Sequence, residues 1–107
     1  MRATALLLMA LPVATLAQAT TPRFTMEQIE RGRDQFHRTC AQCHGRNMVN
    51  SGTTVFDLRK FPTDQPDRFV NSVTNGKGNM PSFKDALEPA QLELLWAYVG
   101  SRGGKEP

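Results

Sequence analysis

Two cysteines three positions apart, with a histidine directly after the second, constrain this chain more than any other feature: Cys40-Ala41-Gln42-Cys43-His44. C-x-x-C-H is the spacing at which two thiols capture the vinyl groups of a haem and the next residue is carried under the iron. A chain that attaches a porphyrin this way must fold around it, and covalent attachment keeps the group in a domain too small to enclose it. Two other chemistries use a C-x-x-C pair, a redox dithiol and half of a zinc site. The first belongs in a βαβ context, which the sequence lacks. The second needs four good ligands, and beyond Cys40, Cys43 and His44 only His37 remains to supply a strong one.

The N-terminal stretch reads as a leader. Met1-Arg2 is a short basic start, Ala5 to Leu11 is apolar, and Ala17-Gln18-Ala19 fits a small-x-small cleavage pattern. The apolar run is too short to span a bilayer and Pro12 breaks it, so no stable membrane anchor is expected. Residues 1–19 are therefore assigned to a signal peptide and residues 20–107 to one small domain. Such a domain has little room for a core of its own, and a buried porphyrin would supply apolar area. Without it, poor order is expected, as in small metal domains stripped of their metal.

Charge narrows the function classes only slightly. The chain carries a formal +3, which loss of Arg2 and two ionised haem propionates would bring close to neutral. Basic residues exceed acidic ones, six to three, between Arg46 and Lys84. That excess reads as a solvated surface or a docking patch. No basic run, aromatic platform or finger pattern supports nucleic-acid binding.

Helical periodicity gives an all-α protein with three main helices. Thr25 and Gln28 form a capping box ahead of Ile29, Gly32, Phe36 and Cys40, so the first helix delivers the cysteines from its end. Gly32 falls on the inward stripe, where lack of a side chain admits another helix. Pro66 opens a second helix with Phe69, Val70 and Val73 on one side and Gly76 as its stop. Pro89 opens the third, Leu92, Leu95 and Tyr98 or Val99 make its inward stripe, and Gly100 closes it. Glu88 is a weak cap for it. Trp96 and Tyr98 read as core or haem-wall residues. Between His44 and Pro66 the chain reads as loop, with Val55, Phe56, Leu58 and Phe61 as apolar cover.

Met80 is the candidate second iron ligand. Gly76 and Gly78 precede it and Pro81 follows, a pattern that lets backbone approach a porphyrin and then stiffens the turn. A thioether favours reduced iron, so His/Met ligation raises the potential and suits an electron carrier. Met48 competes for this role but follows His44 too closely to reach the opposite face easily; packing is the simpler role for Met48 and for Met26. His37 reads as a surface or core-edge residue.

Taken together, C-A-Q-C-H-G at 40–45, Asn79-Met80-Pro81-Ser82-Phe83 in its glycine-rich loop, and Gly32 with Phe36 facing Leu95 to Val99 resemble the class I c-type cytochromes from about Phe24 to Gly100. The resemblance implies a small cytochrome c fold in which the first and last helices cross beside one covalent haem c. Cys40 and Cys43 are then the thioether residues, His44 the proximal iron ligand and Met80 the distal one. It further implies a periplasmic or otherwise exported electron-transfer protein, not an enzyme, that cycles between Fe(III) and Fe(II). A periplasmic dehydrogenase is the implied donor, and an oxidase or other cytochrome the acceptor. A dedicated subunit of a dehydrogenase, such as a quinoprotein alcohol dehydrogenase, and a haem sensor with a labile Met80 remain open alternatives. Family members commonly use a proline carbonyl to accept a hydrogen bond from the proximal histidine. Asn50-Ser51-Gly52 stands where that turn is expected, without a proline, so the acceptor is unassigned.

Overall fold

The computed structural model describes residues 2–13, 21–50 and 54–107. Four α-helices are present among them: α1 (Met26–Thr39), α2 (Ala41–His44), α3 (Pro66–Asn75) and α4 (Pro89–Gly100). Single 3₁₀ turns lie at Arg46–Met48 and Leu58–Lys60. The three long helices are those the periodicity predicts, and α2 is one extra turn that carries the cysteine motif. Residues 2–13 have no regular secondary structure, and Leu6, Leu7, Leu8 and Leu11 stand exposed. The apolar run thus adds nothing to the core, while the expected cleavage site lies outside the described residues. No helix among those residues is long and apolar enough to cross a membrane.

Helix α1 starts where its capping box says it should. Thr25 Oγ1 accepts from the Gln28 N–H at 3.1 Å, and Gln28 Oε1 accepts from the Thr25 N–H at 2.9 Å. Two orphan donors of the first turn are thereby satisfied. The buried stripe is Ile29, Gly32 and Phe36, and it meets α4. A Cβ on Gly32 would run into the Leu94 carbonyl and come within 3.0 Å of the Tyr98 Cβ. Only glycine lets the two backbones approach this closely. Phe36 and Tyr98 fill the crossing with ring centroids 5.1 Å apart, a contact worth about 0.5–1.5 kcal/mol beyond the area it buries.

Helix α4 is the central element. Leu95, Trp96, Ala97, Tyr98, Val99 and Gly100 are all buried, so both its faces are covered. On the side away from α1, Trp96 packs on Phe69 at 5.2 Å and on Phe61 at 5.9 Å. The weak Glu88 cap is helped by Gln91, whose Oε1 accepts from the Glu88 N–H at 2.8 Å. Beyond α4 the chain turns sharply through Arg102, Gly103 and Gly104, all at positive φ. Arg23 then ties the turn to the rest: its N–H donates to the Pro107 carbonyl at 2.8 Å, and its guanidinium donates to Gly100 O at 2.7 Å and Thr63 O at 3.0 Å.

Three apolar side chains sit differently from the sequence reading. Met26 heads the first turn of α1 and is 58% exposed, so it is no core residue. Val70 is exposed because it lies one position, about 100°, off the Phe69–Val73 stripe. The Phe56 ring is half exposed and gives little cover; its backbone matters instead.

Candidate haem site

The end of α1 and the single turn of α2 present the motif. Cys40 closes α1 with its N–H donating to Phe36 O at 2.8 Å, and the His44 N–H returns to Cys40 O at 2.9 Å. Gly45 ends the turn at φ +84°, where a Cβ would strike the Val49 carbonyl. The sixth residue of C-A-Q-C-H-G is thus fixed by backbone geometry.

Both thiols are free, Cys40 partly buried and Cys43 exposed. Burial, helped by the neighbouring Cys43, pushes the Cys40 thiol up to about 11. A redox dithiol needs the opposite, a thiolate stabilised near neutral pH. The zinc alternative lacks ligands: the described residues contain no group of three or more His, Cys, Asp or Glu side chains able to hold a metal. His37 is engaged elsewhere, its Nε2 accepting from the Asn47 N–H at 3.1 Å. It packs at the edge of the Phe36–Tyr98 pair.

His44 is buried, and its Nδ1 lies 3.1 Å from the carbonyl oxygen of Phe56. A carbonyl can only accept, so Nδ1 carries the proton and the lone pair is on Nε2. Burial lowers the pKa of the ring, with the Phe56 bond acting against it. A neutral imidazole whose Nδ1–H is held by a backbone carbonyl is the form that binds iron through Nε2. The acceptor left open by the sequence is therefore Phe56 O. Residues 51–53 lie outside the described residues, while Asn50 contributes through its side-chain amide, which donates to Val55 O at 2.7 Å.

Met80 sits in a narrow loop at the end of α3. The Lys77 N–H donates to Met80 O at 3.1 Å and the Met80 N–H returns to Lys77 O at 3.0 Å. Gly76 and Gly78 turn at φ +77° and +57°, and a Cβ on Gly76 would lie 2.7 Å from Met80 O. Ser82 Oγ donates to Thr74 O and the Phe83 N–H to Val73 O at 2.9 Å, which pins the far limb to α3. The loop holds Met80 half-buried against the same core that Cys40 and Ala41 border. Met48, the competing thioether, is 3% exposed and belongs to that core as packing.

The family described as "Cytochrome C oxidase, cbb3-type, subunit III" matches residues 27–99, from the start of α1 to the end of α4. The chain belongs to the c-type cytochromes. Among its relatives, cytochrome c6 of Synechococcus sp. (strain ATCC 27167 / PCC 6312) is 36% identical over 107 residues, 95% of each chain. Cytochrome c6 of Nostoc sp. (strain PCC 7120 / SAG 25.82 / UTEX 2576) is 41% identical over 68 residues, 60% of this chain and 61% of that protein. Quinohemoprotein alcohol dehydrogenase ADH IIB of Pseudomonas putida is 34% identical over 79 residues, which cover 71% of this chain but 11% of the enzyme. As a small class I cytochrome this protein carries covalent haem c and transfers electrons; it is a carrier and not an enzyme. The donor set fits that group, with two free thiols in the C-x-x-C-H run and a neutral His44 whose Nε2 has no hydrogen-bond partner among the described residues.

Proposed function

We propose that this cytochrome is an exported one-electron carrier in which Cys40 and Cys43 tether the haem and His44 Nε2 and Met80 Sδ are the axial ligands. In this reading residues 1–19 are the leader and residues 20–107 the working domain, in the periplasm or an equivalent compartment. The observation that carries it is the Nδ1–H bond from His44 to Phe56 O, 3.1 Å long, beside two unpaired cysteines. That bond orients the ring and raises its basicity as an iron ligand. Support for Met80 comes from its loop, tight enough to fix the backbone on either side of the thioether. Bound haem supplies the Fe(III)/Fe(II) couple; the protein supplies ligands, burial and orientation.

Docking falls to redox proteins. Lys77 and Lys84 flank the Met80 loop and are exposed, which suits an acidic partner approaching that side. A periplasmic dehydrogenase is the favoured donor, with an oxidase or another cytochrome as acceptor. A second reading, a dedicated partner or subunit of a quinoprotein alcohol dehydrogenase, draws on the 34% identity to a segment of one such enzyme. Copurification with such an enzyme at low salt separates a dedicated partner from a general shuttle.

The test is to express the precursor with a haem maturation system. Haem should survive acid and organic extraction, the ferric protein should show the methionine-to-iron charge-transfer band at the red end, and the ferrous protein should resist carbon monoxide. Met80→Ala should bind carbon monoxide and have a lower potential with unchanged haem content. Extractable haem in the parent overturns the thioethers, and rapid carbon monoxide binding by the parent overturns Met80.

A further inference from the structure

The peptide group that holds His44 is itself clamped. Phe56 O belongs to the plane shared by Phe56 and Asp57, so its direction is set by the backbone on each side of that plane. On the downstream side Asp57 begins the 3₁₀ turn Leu58–Lys60 as its N-cap, Oδ1 accepting from the Arg59 N–H at 3.0 Å. The same carboxylate grips the Arg59 guanidinium at both oxygens, with Nε to Oδ1 and Nη2 to Oδ2 each at 2.9 Å. A two-pronged pair of this kind fixes geometry as well as charge. The turn is anchored in its turn by Arg102, whose guanidinium donates to Arg59 O across 43 positions of sequence. On the upstream side the Asn50 amide holds Val55 O. Surface ion pairs contribute little to stability as a rule, yet this one sits one residue from the carbonyl on the proposed iron ligand.

We propose that Asp57 is a positioning residue for His44: by capping the turn after Phe56 it aims the Phe56 carbonyl at Nδ1 and so sets how strongly the imidazole donates to iron. The inference rests on His44 being the proximal ligand. A firm Nδ1–H bond makes the ring a stronger donor, favours Fe(III) and lowers the potential. A loosened turn weakens that bond and raises it.

Charge alone would also raise the potential when a carboxylate is removed, so the test compares two variants of equal charge. Asparagine caps a helical turn about as well as aspartate, whereas alanine does not. In the haem-loaded protein, Asp57→Asn should therefore keep the native His44 signature. Asp57→Ala should raise the potential above that of Asp57→Asn and speed exchange of the His44 Nδ1 proton by about fivefold, the factor that loss of one cap permits. Identical potentials and exchange rates for Asp57→Ala and Asp57→Asn, with histidine ligation intact in the parent spectrum, overturn the positioning role alone. A parent spectrum without a histidine ligand overturns the site and the inference together.

Discussion

Where α1 crosses α4, contact is made by side chains in bulk: Ile29, Phe36, Leu95 and Tyr98 are each at most 1% exposed, and Gly32 closes the gap between backbones. Around His44 and Met80 the chain is held by individual hydrogen bonds instead, among them the one from Nδ1 to Phe56 O and the pair between Lys77 and Met80. Packing spreads its energy over many atoms, and one lost contact is partly recovered by relaxation. A hydrogen bond that aims one group has no such reserve. The crossing should therefore register mutations as stability, and the ligand loops should register them as spectrum and potential.

The largest expected effect is at the crossing. Phe36→Ala removes a ring that is fully buried against Tyr98 and should cost about 3–5 kcal/mol in chemical denaturation of the holoprotein. The axial-ligand spectrum should survive. A loss of the methionine band in the folded variant would mean that the crossing and the ligand loops are not separable.

Gly32→Val comes next. Its new side chain meets the Leu94 carbonyl, which is helix backbone and cannot turn aside, so about 3 kcal/mol, the upper end of ordinary overpacking, is expected. An unchanged melting temperature would show that the two helices slide apart freely.

Gly76→Ala sharpens the contrast from the other side. Alanine at φ +77° with its Cβ 2.7 Å from Met80 O should cost only about 1–2 kcal/mol. The charge-transfer band, however, should weaken and carbon monoxide should bind. Stability lost with the band intact would place the strain away from Met80.

The smallest effect is an acid dependence. Hydrogen bonding from Arg59 holds the Asp57 carboxyl below its usual range. A depressed carboxyl stabilises the fold above its unfolded pKa of about 3.9 and loses that contribution as pH falls through the folded value. Asp57→Asn should remove this component, seen as a shallower loss of stability in titrations below about pH 4. An identical acid profile would show that the clamp is open in solution.

The sequence by itself determined the elements with local signals. The Thr25–Gln28 capping box, Pro66 and Pro89 at helix starts, Gly76 and Gly100 at their ends, and the stripe through Gly32 and Phe36 all act within one or two turns, so their meaning is readable along the chain. C-A-Q-C-H-G and the glycines around Met80 are legible for the same reason: each names its chemistry within a few residues. Met26 differs because a methionine by its type alone reads as packing, while its place on the first turn of α1 leaves it exposed, and Val70 because it lies about 100° off the Phe69–Val73 stripe. The acceptor for His44 had no sequence signal at all. Every residue, whatever its side chain, offers the same backbone carbonyl, and only the tertiary fold decides that Phe56 presents its own to His44. Tertiary structure likewise decided that Arg102 reaches Arg59 and Arg23 reaches Thr63, since contacts across 40 or more positions depend on how helices pack and not on the residues beside them.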